Sequence, residues 1–149
     1  MSACLKIIFF AIFLLFFFET RGQSNPSVAR LWNEILLESI RNDFARPTVH
    51  ARNLFHVSAG MYDAWAAYDP KAKTYFLGKT RGDFSIPFEP TADPLTDVQQ
   101  AQETAISYFA YRLINFRFRN SPGVDHIVSI TSNLMIQLGY DITFEGQDY

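Results

Sequence analysis

An all-α fold is what this sequence predicts, and three observations predict it. Beyond the first two dozen residues, apolar positions recur at steps of three and four, the period of a helix buried on one face. Prolines and capping residues stand where those periodic stretches begin. The one long stretch without a period is rich in Pro and Gly, as a connection would be. The composition agrees: the 149 residues are 48% hydrophobic, 16% aromatic and 19% charged. That is the balance of one globular domain, since disordered chains carry fewer aromatics and more charge.

The first element, "MSACLKIIFFAIFLLFFFETRGQ", is set apart from the fold. Lys6 precedes an apolar run over residues 7–18, and Thr20 and Gly22 follow it. This is the layout of a secretory signal peptide over residues 1–22, cleaved near Gly22. The run is too short for the roughly 20 apolar residues of a membrane span, so no stable span is expected once the signal is removed. The expected location is secreted or periplasmic, with the domain covering residues 23–149. Lys6, Arg21 and Glu19 leave with the leader, taking the formal charge from -2 to -3. The single cysteine, Cys4, also lies in the leader. The mature chain then has no disulfide and no thiolate for zinc, and its stability has to come from packing. Mild acidity argues against a nucleic-acid partner, which would call for a basic patch.

Four helices should follow. In "NPSVARLWNEILLESIRND", Val28, Leu31, Trp32, Ile35, Leu36 and Ile40 form one stripe, with Asn25 as the N-cap before Pro26. A second helix should open at Pro47 and run to about Tyr68, where Pro70 ends it. Residues 71–94 read as a surface excursion, with a weakly signalled hairpin near Lys79 and Gly82. The third helix opens on a Thr96–Gln99 capping box, with Val98, Ala101, Ala105, Ile106, Phe109, Leu113 and Phe116 as its stripe. The fourth opens at Ser121–Pro122 and carries Val124, Ile127, Val128, Thr131, Leu134, Met135 and Leu138, with Gly139 at the C-cap. Short turns make the first and second helices, and the third and fourth, antiparallel neighbours. The closing "GYDITFEGQDY" is loop-like, so the last helix is left uncovered. An incomplete half of a larger helical protein is expected, with a sticky face around Leu134, Met135 and Leu138.

Residues 47–69 concentrate the side chains from which reaction centres are made. On a helical wheel Arg52, His56 and Asp63 share one line, and His50, Asn53 and Val57 share another. Asp63 is a candidate to orient His56, an acid–base pairing. The two histidines stand six apart, whereas zinc-binding helices place theirs four apart, so this helix does not chelate a metal alone. The simpler expectation is structural. Ala59, Gly60, Ala64, Ala66 and Ala67 admit close neighbours, Tyr62 and Trp65 fill gaps, and the polar groups tie up backbones. In "YFAYRLINFRFRN", Arg112, Arg117 and Arg119 alternate with aromatic residues as in single-strand binders. They also suit the negative end of a helix. No phosphate-cradling glycine loop or Gly-x-Ser-x-Gly occurs.

Residues 28–69 resemble the N-terminal helical region of secreted proteins related to vanadium-dependent haloperoxidases, in the type 2 phosphatidic acid phosphatase superfamily. "LGKTRGDF", "ETAISYFAYRLINFRF", and "NSPG" with "LMIQLGYD" resemble the segments that follow there, in the same order. The resemblance implies a large all-α enzyme whose pocket holds vanadate or phosphate through cations and a helix N-terminus, with a histidine as nucleophile or acid–base group.

The pocket motifs of that family do not occur in this chain. The only Arg-Pro is Arg46–Pro47, and the residue seven before Arg46 is Ser39 rather than lysine. "SPGVDH", residues 121–126, has the letters of Ser-Gly-His without the spacing. Arg52 follows Ala51 and stands too close to His56 for the third motif. No catalytic, cofactor-binding or metal residue is therefore assigned, and the chain alone is expected to be inactive. Its expected partners are the missing C-terminal catalytic helices, with a homo-oligomer left open. The alternative is a stand-alone secreted helical binding module. A small hydrolase using His56 and Asp63, with His50, ranks last.

Overall fold

The computed structural model describes residues 25–89 and 97–145. Helix α1 spans Val28–Arg41, α2 Pro47–Ala66, α3 Val98–Phe118 and α4 Val124–Gln137. Two short strands, β1 (Thr80–Arg81) and β2 (Phe84–Ser85), pair antiparallel between α2 and α3. The fold is all-α. The expected signal peptide and Thr96 lie outside the described residues.

The long helix α3 is the hub, touching α1, α2 and α4. Gly60 meets Phe109, and Gln102 Nε2 donates to the Trp65 carbonyl at 3.3 Å, so α2 and α3 run antiparallel. Asn115 against Thr131, and Tyr108 against Tyr140, show the same for α3 and the chain of α4. The core is Trp32 and Leu36 of α1, Val57 and Met61 of α2, Ile106, Ala110, Ile114 and Phe118 of α3, and Ile127, Leu134 and Met135 of α4. Small buried hydroxyls satisfy themselves without widening the gaps. Ser39, Ser107 and Thr131 each donate to the carbonyl four residues earlier.

Several boundaries differ from expectation for local reasons. The N-cap of α1 is Ser27, whose hydroxyl accepts from the Arg30 amide, rather than Asn25. Asp97 caps α3, accepting from the amides of Gln99 and Gln100; a carboxylate at the positive end of the dipole is a strong cap. Ser121 and Pro122 precede α4, which starts behind Gly123. Ser121 serves the other end of the bundle: its hydroxyl and the Gly123 amide both donate to the Asn42 carbonyl, at 2.9 and 3.1 Å. A Cβ on Gly123 would lie 2.8 Å from that carbonyl oxygen. Gly139 stands at φ +80 just past α4, as a helix-ending glycine does.

Two larger expectations are corrected. The face around Leu134, Met135 and Leu138 is not left bare: the first two are buried, and Leu138 packs against the core. Residues 140–144 fold back as a strap over α3. Tyr108 donates to the Asp141 carbonyl at 2.9 Å, and Arg112 to the Phe144 carbonyl at 2.8 Å. The rings of Tyr140 and Phe144 both lie beside that of Tyr108. The α3 stripe is placed only in part: Ile106 is buried, and Phe109 and Leu113 pack against the core. Val98 is 50% exposed and Phe116 58% exposed, while the buried face steps through Ile106, Ala110, Ile114 and Phe118.

Candidate functional site: an apolar groove with a cationic rim

The reactive-looking side chains of α2 separate into different tasks. Asp63 is buried, and its carboxylate accepts three consecutive backbone amides. The donors are Tyr75, Phe76 at 2.6 Å and Leu77 at 3.0 Å. Tyr62 donates to the Lys73 carbonyl at 3.0 Å. Together they clamp the start of the excursion to α2. Asp69 continues the work, its Oδ1 accepting from the amides of Lys71 and Ala72. His50 sits 2.8 Å, through Nε2, from the Phe44 carbonyl at the α1–α2 turn. Asn53 and Val57 are buried, and Arg52 is exposed.

His56 pairs with Arg117 of α3, Nδ1 to Nη2 at 2.6 Å, and not with Asp63. Burial, then the positive charges of Arg117 and Arg52, hold its imidazole below the ordinary histidine value. The ring is neutral at pH 7, and its Nδ1 lone pair accepts the guanidinium proton. The hydrolase arrangement is not formed: Asp63 serves the excursion, and His50 serves a turn. Among the described residues, no group of three or more His, Cys, Asp or Glu is placed to hold a metal ion. No helix among them is long and apolar enough to cross a membrane.

Beside His56 and Arg117 lies an open groove of about 1250 Å³ between α2, α3 and the excursion. Its floor includes Ala64 and Ala67 of α2 and Ala105, Phe109, Leu113 and Phe116 of α3. Four of those α3 residues belong to the stripe expected to be core. Phe76, Ile86 and Phe88 form the opposite wall. Gly60 belongs to the floor for a steric reason: an added Cβ would lie within 2 Å of the Phe109 ring, at 1.8 Å from Cζ.

The hairpin shapes that wall. Gly82 takes φ +61 as the first residue of a two-residue turn between β1 and β2, the position that glycine fills in such hairpins. Gly78 donates to the Ile86 carbonyl and Ile86 to the Lys79 carbonyl, at 2.9 and 3.1 Å.

The rim is cationic. Lys79, Arg81, Arg112 and Arg117 line it against the carboxylates of Glu89 and the already engaged Asp63. Arg81 lies over the Tyr75 ring and Arg112 over that of Tyr108. Among the described residues the ion pairs are Arg41–Glu38, Arg46–Asp43 and His126–Glu38. Arg117 is in none of them. Arg119, the third arginine of the aromatic–basic run, turns to the Phe116 carbonyl and ring.

No family model, curated protein or solved structure matches this chain. None of the three comparisons links the chain to the class that its sequence resembles.

Proposed function

We propose that this chain is the N-terminal, non-catalytic scaffold of an exported protein of the vanadium haloperoxidase-like and acid-phosphatase-like class. The oxyanion pocket, holding vanadate or phosphate, would be formed by the helices of the catalytic portion. The observation that carries this reading is the fate of Asp63. The one buried carboxylate in the most enzyme-like stretch is fully engaged by the amides of residues 75–77, so residues 47–69 act as a frame. The groove beside α3 supports the same reading, because a scaffold needs an apolar face for the elements it positions.

Reading the gene through and beyond the Tyr149 codon tests the proposal. A continuing frame that encodes Lys-x6-Arg-Pro and Ser-Gly-His is the expected result; a stop codon there would sink it. One observation favours the second reading, a stand-alone secreted binding module: residues 140–144 fold back over α3, and Leu134 and Met135 of α4 are already buried in the core. On that reading the groove is the binding site itself.

A further inference from the structure

We propose that the groove beside α3 seats an apolar α-helix bearing a carboxylate, which pairs with Arg117. The inference rests on the scaffold reading for the source of that helix, the remainder of the same protein. Size favours a polypeptide occupant. Small-molecule pockets run to roughly 300–1,000 Å³ and enclose most of the ligand, whereas this groove, as the described residues form it, is larger, at about 1250 Å³, and not enclosed. A helix about 10–12 Å across would lie along such a channel. Ala64 and Ala67 let its backbone approach α2, and Leu113 and Phe116 offer it an apolar bed.

Charge decides what the helix carries. Of the rim cations, Arg112 already donates to the Phe144 carbonyl, Arg81 covers Tyr75, and Lys79 lines the groove from the excursion rather than from α3. Among the described residues Arg117 bonds to a neutral imidazole acceptor and pairs with no carboxylate, and it lines the groove together with Leu113 and Phe116. A guanidinium so placed favours a carboxylate, which forms charge-assisted, two-pronged bonds with it. A basic helix would instead meet like charge.

The test uses the full chain and a fluorescein-labelled, 18-residue amphipathic peptide with a Leu/Ala face flanked by glutamates. Matched peptides carry glutamine or lysine at the same positions, and dodecanoate serves as a small-amphiphile competitor. By fluorescence anisotropy the glutamate peptide should bind about tenfold tighter than the glutamine one, and the lysine peptide weakest. Added salt should shrink the difference. Arg117→Gln should bring the glutamate-to-glutamine ratio close to one, and Phe116→Ser should weaken every peptide about tenfold. Both residues are exposed, so the variants should keep the wild-type circular dichroism.

Equal binding of the three peptides, or no binding, would overturn the inference. So would dodecanoate displacing the peptide at lower concentration than the peptide itself requires, which would make the groove a small-amphiphile site. The two readings fail separately. A stop codon after Tyr149 defeats the scaffold and leaves a positive peptide ranking standing. A flat ranking beside an intact downstream pocket defeats only the acidic helix.

Discussion

The inner and outer faces of α3 are made of the same kinds of residue and meet opposite fates. On the inner face Ile106, Ala110, Ile114 and Phe118 are buried among Trp32, Leu36, Val57 and Met135. On the outer face Phe109 and Leu113 are half-covered and Phe116 is exposed, floored along an open groove. A helix with apolar residues on more than one side offers more than one face to neighbours. Here three neighbours occupy only part of its circumference, so the inner face accounts for stability, and the outer one is the face on which the proposed docking would take place.

The sharpest way to break that comparison is to truncate one residue on each face. Ile114→Ala, at a fully buried site, should lower unfolding free energy in urea by about 2–5 kcal/mol. A loss below about 1 kcal/mol would mean the inner face is not the core. Asp63→Asn comes next, at about 2–3 kcal/mol, because hydrogen bonds to a buried charged group are lost. Hydrogen exchange should then quicken at the amides of residues 75–77 while α3 stays protected. Slow exchange there would show that the excursion is held by something else.

Phe116→Ala should change stability by only about 0.5 kcal/mol, as an exposed position does. A cost like that of Ile114→Ala would erase the distinction between the faces.

The smallest expected effect is the pH response of His56. Its folded value lies below the ordinary one near 6.5, so over that interval the unfolded chain holds more protons than the folded one. Stability present above pH 6.5 is therefore lost as pH falls from there through the folded value. Because the ring is partly exposed, solvent screens the effect. Thermal melts of His56→Gln should decline less between pH 7.5 and 5 than those of the parent chain. Parallel curves would show that the Arg117 pair does not matter for folding.

How much of this was legible in the sequence depended on how far apart the partners lie. The α1 stripe was readable because one side of that helix is polar: Val28, Trp32 and Leu36 stand out and are buried. Pro47 and Gly139 marked boundaries through local backbone chemistry alone. In α3 the apolar residues surround the helix, so periodicity offers several stripes, and only the positions of α1, α2 and α4 select the inner one. Asp63 stands out in the sequence, but its three amide partners lie in an aperiodic segment 12–14 residues on. Arg117 and His56, 61 positions apart, left no pattern to read. Tyr108 and Arg112 give no hint of the strap, since both of their hydrogen bonds to it end on backbone carbonyls, which any residue carries.

The measurement that bears most directly on the two-faced helix is anilinonaphthalenesulfonate fluorescence on the folded chain. It should be made on the parent, on Phe116→Ser, and on Ile136→Ser, which alters an exposed apolar residue of α4 away from the groove. The account predicts dye binding by the parent, unchanged in Ile136→Ser and reduced about tenfold in Phe116→Ser. A folded chain that binds no dye, or one whose signal follows Ile136 rather than Phe116, would contradict it.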